Sequence, residues 1–410
     1  MTKISPSLRA TSLSQHNASV VFANVFYNGP ITQREISRVS GLSFTSVASI
    51  VSGLEKRGII ERSIESSTNG GRPAALYRCN PTYGYAVGIE AQHDKLYLIV
   101  SDLAGHLLSR STLPFDKKIG KEGFLDLLLQ AVKNLIGSFK GRSPRFLGVG
   151  IGLGGLVDPK DGSVSILSHL PNWGNIPLKN VLEEKLQLKV FVQNNSDAAA
   201  LGELRYGLGR GKRNFLFINV RDGIGMGIVL NGELYTGTSG TAGEFGHITV
   251  DDHGPVCTCG NVGCLETLTS IPALVRNAKK FIAEGVTSAI KEIAGGDLNA
   301  ITFPVLLEAA KREDKLAYKL FTDAGRYLGE GIVSLVNLLN PELIIIGGDF
   351  VQAGHLIIEP IKDVLTRQAL ELPRKAVEVV FSKLGENASA LGSVVPLVEE
   401  FVASPLSSVH

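Results

Sequence analysis

Apolar side chains recur at helical spacing through the first 60 residues and predict three helices. Two are predicted within residues 17–42, separated at Asn28-Gly29-Pro30, because glycine and proline end a helix. The third is predicted to begin near Ser43. The apolar positions of the three helices are Val20, Val21 and Val25; Ile36, Val39 and Leu42; and Val47, Ile50, Val51 and Leu54. The i, i+3, i+4, i+7 spacing of the last set is typical of an amphipathic helix with one buried face.

The junctions between these helices indicate a helix-turn-helix followed by a wing. Thr32-Gln33-Arg34-Glu35 has the pattern of a capping box at the start of the second helix, and Gly41 permits a tight turn into the third. Two short helices joined in this way to a third are typical of a DNA-binding head. Residues 59–64 and 75–78 are strand-like and flank a loop that contains Gly70-Gly71-Arg72-Pro73. A flexible loop that presents one arginine suits a narrow minor groove.

Polar, basic and aromatic side chains of this head are the predicted DNA contacts. Base readout is assigned to the outer face of the third helix, and contacts with the DNA backbone are assigned to basic residues around it. The predicted contacts are Arg34, Arg38, Phe44, Thr45, Ser46, Ser49 and Lys56, with Arg72 in the minor groove. The alternative interpretation of the helix spacing is a small helical domain that binds another protein.

After residue 85 the pattern changes to short apolar runs that alternate with helical segments. Runs at 146–151, 190–192, 215–220 and 343–346 end at or near Gly or Asn residues. This repeat predicts an α/β fold that binds ligands at the ends of its strands. Boundaries at Asn80-Pro81 and near 195–202 divide the chain. The predicted units are a head at 1–80, a first body lobe at 81–196, a second lobe at 197–402 and a tail at 403–410, with a return of the C-terminal helices to the first lobe left open.

Charge separates the predicted head from the predicted body. The chain has 410 residues, 44% of them apolar and 20% charged, with a net charge of +2. The first 80 residues hold nine basic and four acidic side chains, and the remaining 330 hold 32 and 35. A basic head on a slightly acidic body predicts that only the head binds a polyanion. No apolar run of 18 residues and no apolar N-terminal core is present, so we expect a cytoplasmic protein without membrane insertion.

Closely spaced cysteines predict a metal site in the second lobe. Cys257, Cys259 and Cys264 fall within eight positions. Three thiolates need a fourth ligand to close a tetrahedral zinc site. His247 is the nearest candidate and His253 is the alternative. Unliganded thiols are the other interpretation, whereas the C-x-C spacing argues against a redox pair, which would be C-x-x-C.

Two motifs around these cysteines resemble the signature of the ROK family, which comprises sugar-responsive repressors, open reading frames and sugar kinases. The motifs are Gly-Glu-x-Gly-His at 243–247 and Cys-x-Cys-Gly-x-x-Gly-Cys-x-Glu at 257–266. The resemblance implies an actin-like/RNase H-like body of two lobes with a zinc loop. A winged helix-turn-helix that ends in Gly-Gly-Arg-Pro resembles the repressor branch of the family.

The resemblance also implies the roles of individual side chains. His247, Cys257, Cys259 and Cys264 match ligands of one structural zinc ion per chain. The predicted sugar-binding residues are Asn172, Asn194, Asn195, Glu244, His247 and Glu266. Amides and carboxylates at close spacing suit the vicinal hydroxyls of a sugar, because each hydroxyl needs a hydrogen-bond partner.

Two departures from the kinases of the family indicate that the chain is not an enzyme. Asn195 stands where those kinases carry the catalytic Asp, and a carboxamide cannot accept the proton of a sugar hydroxyl. A shift of register that brings in Asp197 is the alternative. Glu90-Ala91-Gln92-His93-Asp94 stands where their first phosphate loop reads Asp-x-Gly-Gly-Thr. Without those glycines the backbone cannot approach a phosphate closely, and Asp94 would repel it.

The sequence therefore predicts a transcriptional regulator, a repressor of genes for carbohydrate uptake or catabolism, that is controlled by a sugar or a sugar phosphate. Its predicted partners are operator DNA and a second copy of the chain, with a tetramer as the alternative assembly. An ATP-dependent sugar kinase with an accessory DNA-binding head is the second hypothesis. A scaffold that is switched by a protein of the phosphotransferase system is the third.

Overall fold

The computed structural model describes most of the chain. The described residues are 6–64, 75–139, 145–168, 170 and 173–407, with 6–12 and 64 described by their backbone alone. Two predicted site residues, Arg72 in the wing and Asn172 in the sugar-binding set, lie outside these ranges. Within them, no helix is long and apolar enough to cross a membrane.

The head is a winged helix-turn-helix, as predicted. Its helices are α1 (Pro6–Asn28), α2 (Gln33–Ser40) and α3 (Phe44–Lys56), and its strands are β1 (Ile31–Thr32), β2 (Ile60–Ile64) and β3 (Ala75–Cys79). The strands form an antiparallel sheet in the order β1-β3-β2. Helix α1 ends at Asn28 as predicted but begins well before residue 17. Thr32 and Glu35 form the predicted capping box, and Gly41 ends α2 at a φ of 72°.

One predicted core position in the head is wrong. Ile36 is fully buried, but Val39 is 60% exposed. A helix turns about 100° per residue, so Ser40 is closer than Val39 to the direction in which Ile36 points. The eight-residue α2 packs on the other helices through Ile36, and Val39 faces outward. Leu42, the third predicted position, follows the helix and is half-buried against the core of the head.

The first body sheet has five strands in the order β10-β7-β4-β5-β6. Its strands β4, β7 and β10 run parallel, and β5 and β6 continue the sheet as an antiparallel meander. The elements of this part are β4 (Tyr85–Ala91), β5 (Lys95–Asp102), β6 (Leu107–Pro114), α4 (Gly120–Gly137), β7 (Phe146–Leu153), β8 (Gly155–Val157), β9 (Val164–Leu167), α5 (Leu178–Leu186), β10 (Val190–Asn194) and α6 (Asn195–Tyr206).

The second body sheet also has five strands, in the order β13-β12-β11-β14-β15. Strands β11, β14 and β15 are parallel, and β11 and β14 are almost wholly buried, which fits their continuous apolar runs. The elements of this part are β11 (Phe215–Val220), β12 (Ile224–Leu230), β13 (Glu233–Leu234), α7 (Leu265–Thr269), α8 (Ile271–Ala283), α9 (Ala289–Ile293), α10 (Phe303–Lys311), α11 (Lys315–Leu339), β14 (Leu343–Gly348), α12 (His355–Gln368), α13 (Glu371–Ala376) and β15 (Glu378–Phe381).

The last two helices lie on the first sheet and on the head. Helix α14 (Asn387–Ser393) packs on α6 and on β4, and α15 (Val395–Ala403) packs on β7 and on α1. The contact between α6 and α14 is close enough to require glycine: a Cβ on Gly392 would lie 1.5 Å from the carbonyl oxygen of Ala198. In the head contact, the rings of Phe22 and Phe401 meet edge to face with centroids 5.4 Å apart. Head and body therefore share one apolar core.

Candidate functional site

Three thiols and one imidazole converge in the loop after β13. The ligand atoms of His247, Cys257, Cys259 and Cys264 all lie within 4.8 Å of one another. The Sγ of Cys257 is 3.5 Å from Nδ1 of His247, and the Sγ atoms of Cys259 and Cys264 are 3.7 Å apart. Around a tetrahedral zinc ion, the corresponding separations are about 3.6 Å and about 3.8 Å. The donor set and its geometry therefore fit a four-coordinate metal ion.

Backbone hydrogen bonds within the chain define the shape of this loop. The N–H of Cys257 donates to the carbonyl of Asn261 at 2.7 Å, and the N–H of Gly260 donates to that of Cys257 at 2.9 Å. Gly263 has a φ of 65°, and a Cβ there would lie 1.5 Å from the carbonyl oxygen of Asp251. Only glycine fits at that position. The glycines between the cysteines thus let the chain curl until the thiols meet.

His247, and not His253, lies with the thiols. His247 is in a 3-10 turn (Phe245–His247), and its Nδ1 faces Cys257. His253 instead lies in a turn where its backbone N–H donates to the carboxylate of Asp251 at 3.0 Å. Burial and the neighbouring thiols raise the pKa of Cys264 to about 12. A cation in the cluster is therefore needed to hold this side chain as a thiolate at neutral pH.

The two carboxylates of the motifs flank the metal cluster. Oε2 of Glu244 is 3.9 Å from Nε2 of His247, so the imidazole turns one nitrogen to the thiols and the other to a carboxylate. Glu266 lies in α7, two residues after Cys264, and its Oε2 accepts the N–H of Ile224 at 2.9 Å. Both acidic side chains therefore lie beside the cluster, Glu244 next to His247 and Glu266 two residues after Cys264.

The start of α6 faces these carboxylates from the side of the first sheet. Asn194 is the N-cap: its Oδ1 accepts the N–H groups of Ser196 and Asp197 at 2.7 and 3.4 Å, and its Nδ2 donates to the carbonyl of Gly155 at 3.1 Å. This side chain therefore has a structural role that the sequence analysis missed, although a polar residue before a helical segment is the ordinary signal for a cap. Asn195 begins the helix, and its amide forms no hydrogen bond with the described residues.

Asp197 is a site residue that the sequence analysis considered only as a substitute base. It is 7% exposed, and its Oδ1 is buried without a hydrogen-bond partner in the described part of the chain. Burial, and to a lesser degree the charge of Glu244, raises the pKa of Asp197 to about 7. The two carboxyl groups thus lie close enough for their charges to interact. The signal that could have found Asp197 is its place in the first turn of a helix after a strand.

An ion pair lies where the resemblance places the first phosphate loop. Nη1 of Arg221, in the turn between β11 and β12, is 3.2 Å from Oε2 of Glu90 in β4. The side chains are 16% and 1% exposed, and Nε2 of Gln92 donates to the same carboxylate oxygen at 2.8 Å. Burial would lower the pKa of Arg221, but Glu90 and the nearby Asp349 and Glu386 outweigh it and raise that pKa. The pair joins the two body sheets.

The described DNA-contact candidates lie in α2 and α3 of the head. Most of them are exposed, and Phe44 is a large apolar side chain with 55% of its surface exposed. Ser46 is half-buried. Ser43 is the N-cap of α3, and its hydroxyl is 3.0 and 2.8 Å from those of Thr45 and Ser46. These two predicted base contacts are therefore already hydrogen-bonded within the cap.

Comparison with known proteins places the chain in one family. The ROK family model matches residues 86–400, and a winged helix-turn-helix DNA-binding model matches residues 26–61. The chain belongs to the ROK family, as its motifs predicted. The xylose repressor of Caldicellulosiruptor bescii is 29% identical over 397 residues, which cover 96% of this chain and 98% of that protein. The DNA-binding transcriptional dual regulator NagC of Escherichia coli is 29% identical over 383 residues, covering 93% of this chain and 92% of NagC.

Solved structures match the whole chain or the body alone. A ROK family transcriptional regulator, described as a homologue of the E. coli MLC protein, superposes with a TM-score of 0.83 at 29% identity and covers 96% of this chain and 98% of its own. A ROK family glucokinase from Streptomyces griseus, in complex with glucose and AMPPNP, superposes with a TM-score of 0.68 at 31% identity. That match covers 76% of this chain and 98% of the kinase.

Proposed function

We propose that the chain is a DNA-binding transcriptional regulator, a repressor of genes for carbohydrate uptake or catabolism, that responds to a sugar bound between the two body sheets. The observation that carries the proposal is the winged head joined to a ROK body, a combination that aligns over 96% of the chain with a named xylose repressor. NagC, named as a transcriptional dual regulator, aligns over nearly the same length. Because such a regulator acts on chromosomal DNA, the proposal includes a cytoplasmic location.

In this proposal the head reads the operator through α3. The outer face with Phe44, Thr45, Ser46 and Ser49 enters the major groove, and the exposed Arg34, Arg38 and Lys56 contact phosphates. Arg72 enters the minor groove. Since operators for such heads are two-fold symmetric, we propose a homodimer, with a tetramer as the alternative. Arg72→Ala should weaken operator binding several-fold, by about 1 kcal/mol, and Lys311→Ala, at an exposed position in the body, serves as its charge-matched control.

The sugar site of the proposal comprises Asn172, Asn194, Asn195, Glu244, His247 and Glu266. The structure suggests Asp197 as an addition, because its buried oxygen lacks a partner and it interacts with Glu244. The acidic character of the cleft favours an uncharged sugar over a sugar phosphate. The proposal places Glu244, Glu266 and the partly ionised Asp197 in it, and the guanidinium of Arg221 is neutralised by Glu90. A phosphate would enter against several like charges.

We propose that the metal is one structural zinc ion held by His247 and the three thiolates. All four ligands are protein side chains, which is the composition of a closed structural site rather than of a catalytic one. Bound zinc would lock the loop and keep the thiols charged. The part played by the chain itself is to use that loop to hold Glu244 and Glu266 on either side of the sugar.

Loss of kinase chemistry is part of the proposal. Asn195 occupies the first turn of α6 and offers an amide where a base is required. The Glu90–Arg221 pair fills the region of the first phosphate loop with side chains. A coupled ATP assay with a hexose panel tests this: robust turnover would support the sugar kinase instead.

The division of labour among the units is also proposed. Residues 1–80 bind DNA, and 81–196 and 197–402 form the two lobes of the sensor, with α14 and α15 belonging functionally to the first lobe and 403–410 forming a tail. A protein of the phosphotransferase system stays the alternative effector. Stoichiometric co-purification of such a protein, together with no effect of any sugar on DNA binding, would favour it.

One experiment tests the central proposal. Footprinting upstream of the chain's own gene and of its neighbours is carried out with xylose, glucose, N-acetylglucosamine and the available phosphate of each added in turn. We expect a protected two-fold symmetric site whose occupancy changes with one uncharged sugar. Protection that no sugar changes would remove the sensor role, and a stronger effect of a sugar phosphate would reverse the charge argument.

A further inference from the structure

Helix α6 runs from the sugar site to the DNA-binding head. Its first turn carries Asn195 and Asp197, which face the cleft, and its last turn carries Arg205. At 1.5 Å per residue, its 12 residues span about 18 Å. The two functional regions of the protein are therefore joined by one short, continuous element.

The packing of α6 makes it move as a unit. Residues 196–203 of the helix are all buried. On one side, a Cβ on Gly227 of β12 would lie 2.5 Å from Cβ of Ala200; on the other, a Cβ on Gly202 would lie 2.3 Å from the carbonyl oxygen of Ala388 in α14. Because a tightly packed core has almost no empty space, a displacement at one end of the helix is passed along it through these close backbone contacts. A shift at Asp197 therefore reaches Arg205.

Arg205 contacts two aromatic side chains of the head. Its Cζ lies 4.3 Å from the ring centroid of Phe26 and 4.2 Å from that of Tyr27, both in the last turn of α1. Contacts of a guanidinium with aromatic faces at this distance are attractive. Burial raises the pKa of Glu399 in α15, and the charge of Arg205 opposes that rise, which places this carboxyl near the same guanidinium. One side chain thus touches the body, the head and the C-terminal helix.

The space beside this contact allows it to change. A cavity of 410 Å³ is lined by Phe26, Tyr27, Arg205, Tyr206 and Arg210, among others. A second arrangement of Arg205 therefore has room beside α1.

We propose that Arg205 is the positioning residue that couples sugar binding to DNA binding. The inference rests on the proposed function, because it needs a sugar at the start of α6. Movement of α6 on sugar binding shifts the guanidinium against Phe26 and Tyr27, tilts α1, and changes the placement of α3. Arg205 contacts neither the sugar nor the DNA, so its contribution is to the coupling between two binding events.

The test measures operator affinity with and without saturating sugar for Arg205→Ala, Arg205→Lys and Arg210→Ala. The probe is D-xylose, or the member of the panel that shifts the wild-type protein. We expect the sugar to change wild-type affinity by about fivefold or more and that of Arg205→Ala by less than about twofold, with sugar-free affinity retained. Arg205→Lys keeps a cation and should restore part of the response. Arg210→Ala, an exposed arginine on the same cavity, should respond like the wild type.

Sugar binding measured directly by calorimetry separates the possible failures. If Arg205→Ala binds the sugar and responds fully at the DNA, the proposal is overturned. If the wild-type protein binds no sugar of the panel, the proposed function fails first and the coupling role fails with it. Tyr27→Leu gives an independent readout from the other side of the contact. When Tyr27→Leu is combined with Arg205→Ala, the loss of the sugar response should be no larger than with Arg205→Ala alone, because both changes remove the same contact. A loss equal to the sum of the two single losses would contradict a shared contact.

Discussion

The candidate metal loop, at 247–264, and the segment at 90–94, which the family resemblance matches to a phosphate loop, differ in what would bind a ligand. In the candidate metal loop, four side chains offer the donor atoms and glycines bring them together. A phosphate loop works the other way round, because bare backbone N–H groups bind the phosphate and side chains obstruct it. At 90–94 this chain has side chains throughout, and Glu90 pairs with Arg221. The loop at 247–264 therefore has the donor atoms of a metal site, whereas Glu90 forms part of a strut, the ion pair with Arg221 that joins the two body sheets.

The largest expected effect comes from removing a metal ligand. Cys259→Ser should abolish metal binding and destabilise the body by about 5 kcal/mol or more, because a closed metal site contributes directly to folding. Metal analysis of the purified protein and denaturant unfolding measure both effects. Cys79→Ser, a half-buried cysteine outside the cluster, is the matched control and should retain the metal. Normal metal content in Cys259→Ser would contradict the site.

The strut gives the next largest effect. Arg221→Ala leaves Glu90, which is 1% exposed, without its counter-ion and should cost about 3–5 kcal/mol in the free energy of unfolding. Lys95→Ala removes the neighbouring exposed pair with Glu386 and should cost less than about 1 kcal/mol. Denaturant unfolding of the two variants checks the difference. Equal losses in the free energy of unfolding would mean that the buried Glu90–Arg221 pair contributes no more than the exposed pair.

The buried carboxyl group of Asp197 should make stability depend on pH. The pKa of Asp197 in the folded state, about 7, lies above its value in the unfolded state. Between about pH 4 and 7, the folded state therefore keeps a proton that the unfolded state has lost. Stability from this group therefore falls as pH rises through that window. Asp197→Asn should remove the fall, which amounts to about 2–4 kcal/mol. If the free energy of unfolding changes by the same amount between pH 4.5 and pH 7.5 in the wild-type protein and in Asp197→Asn, the assignment is contradicted.

The smallest expected effect concerns the carboxylate that follows the metal loop. Glu266→Gln keeps an oxygen for the N–H of Ile224 but loses the charge, and it should weaken sugar binding about tenfold, or about 1.4 kcal/mol. Basal operator binding should stay unchanged, because the hydrogen bond of Glu266 joins it to Ile224 within the body and not to the head. Calorimetry with the active sugar and a DNA-binding titration provide the two measurements. A wild-type sugar affinity would place Glu266 outside the pocket.

Local patterns predicted the parts of this structure that depend on neighbours in the sequence. The capping box at Thr32, the turn at Gly41 and the stripe of α3 follow from spacing alone. The family and the clustering of His247 with the thiols followed from a motif. Val39 was wrongly predicted to be buried, because the spacing of apolar residues does not show which of them contact another element when the helix is this short. The Glu90–Arg221 pair and the stacking of Arg205 were missed because they join residues more than 100 positions apart.

The apolar core shared by head and body limits how the protein can be recombined. Phe22 in α1 packs on Phe401 in α15, and Arg57 after α3 donates to the carbonyl of Leu406 at 3.4 Å. A head cut at residue 80 and fused to another sensor would expose the face of α1 that α15 covers. The exchangeable module is therefore discontinuous in sequence. It consists of the winged head together with α15, so chimaeric regulators built from this chain need both segments from the same parent.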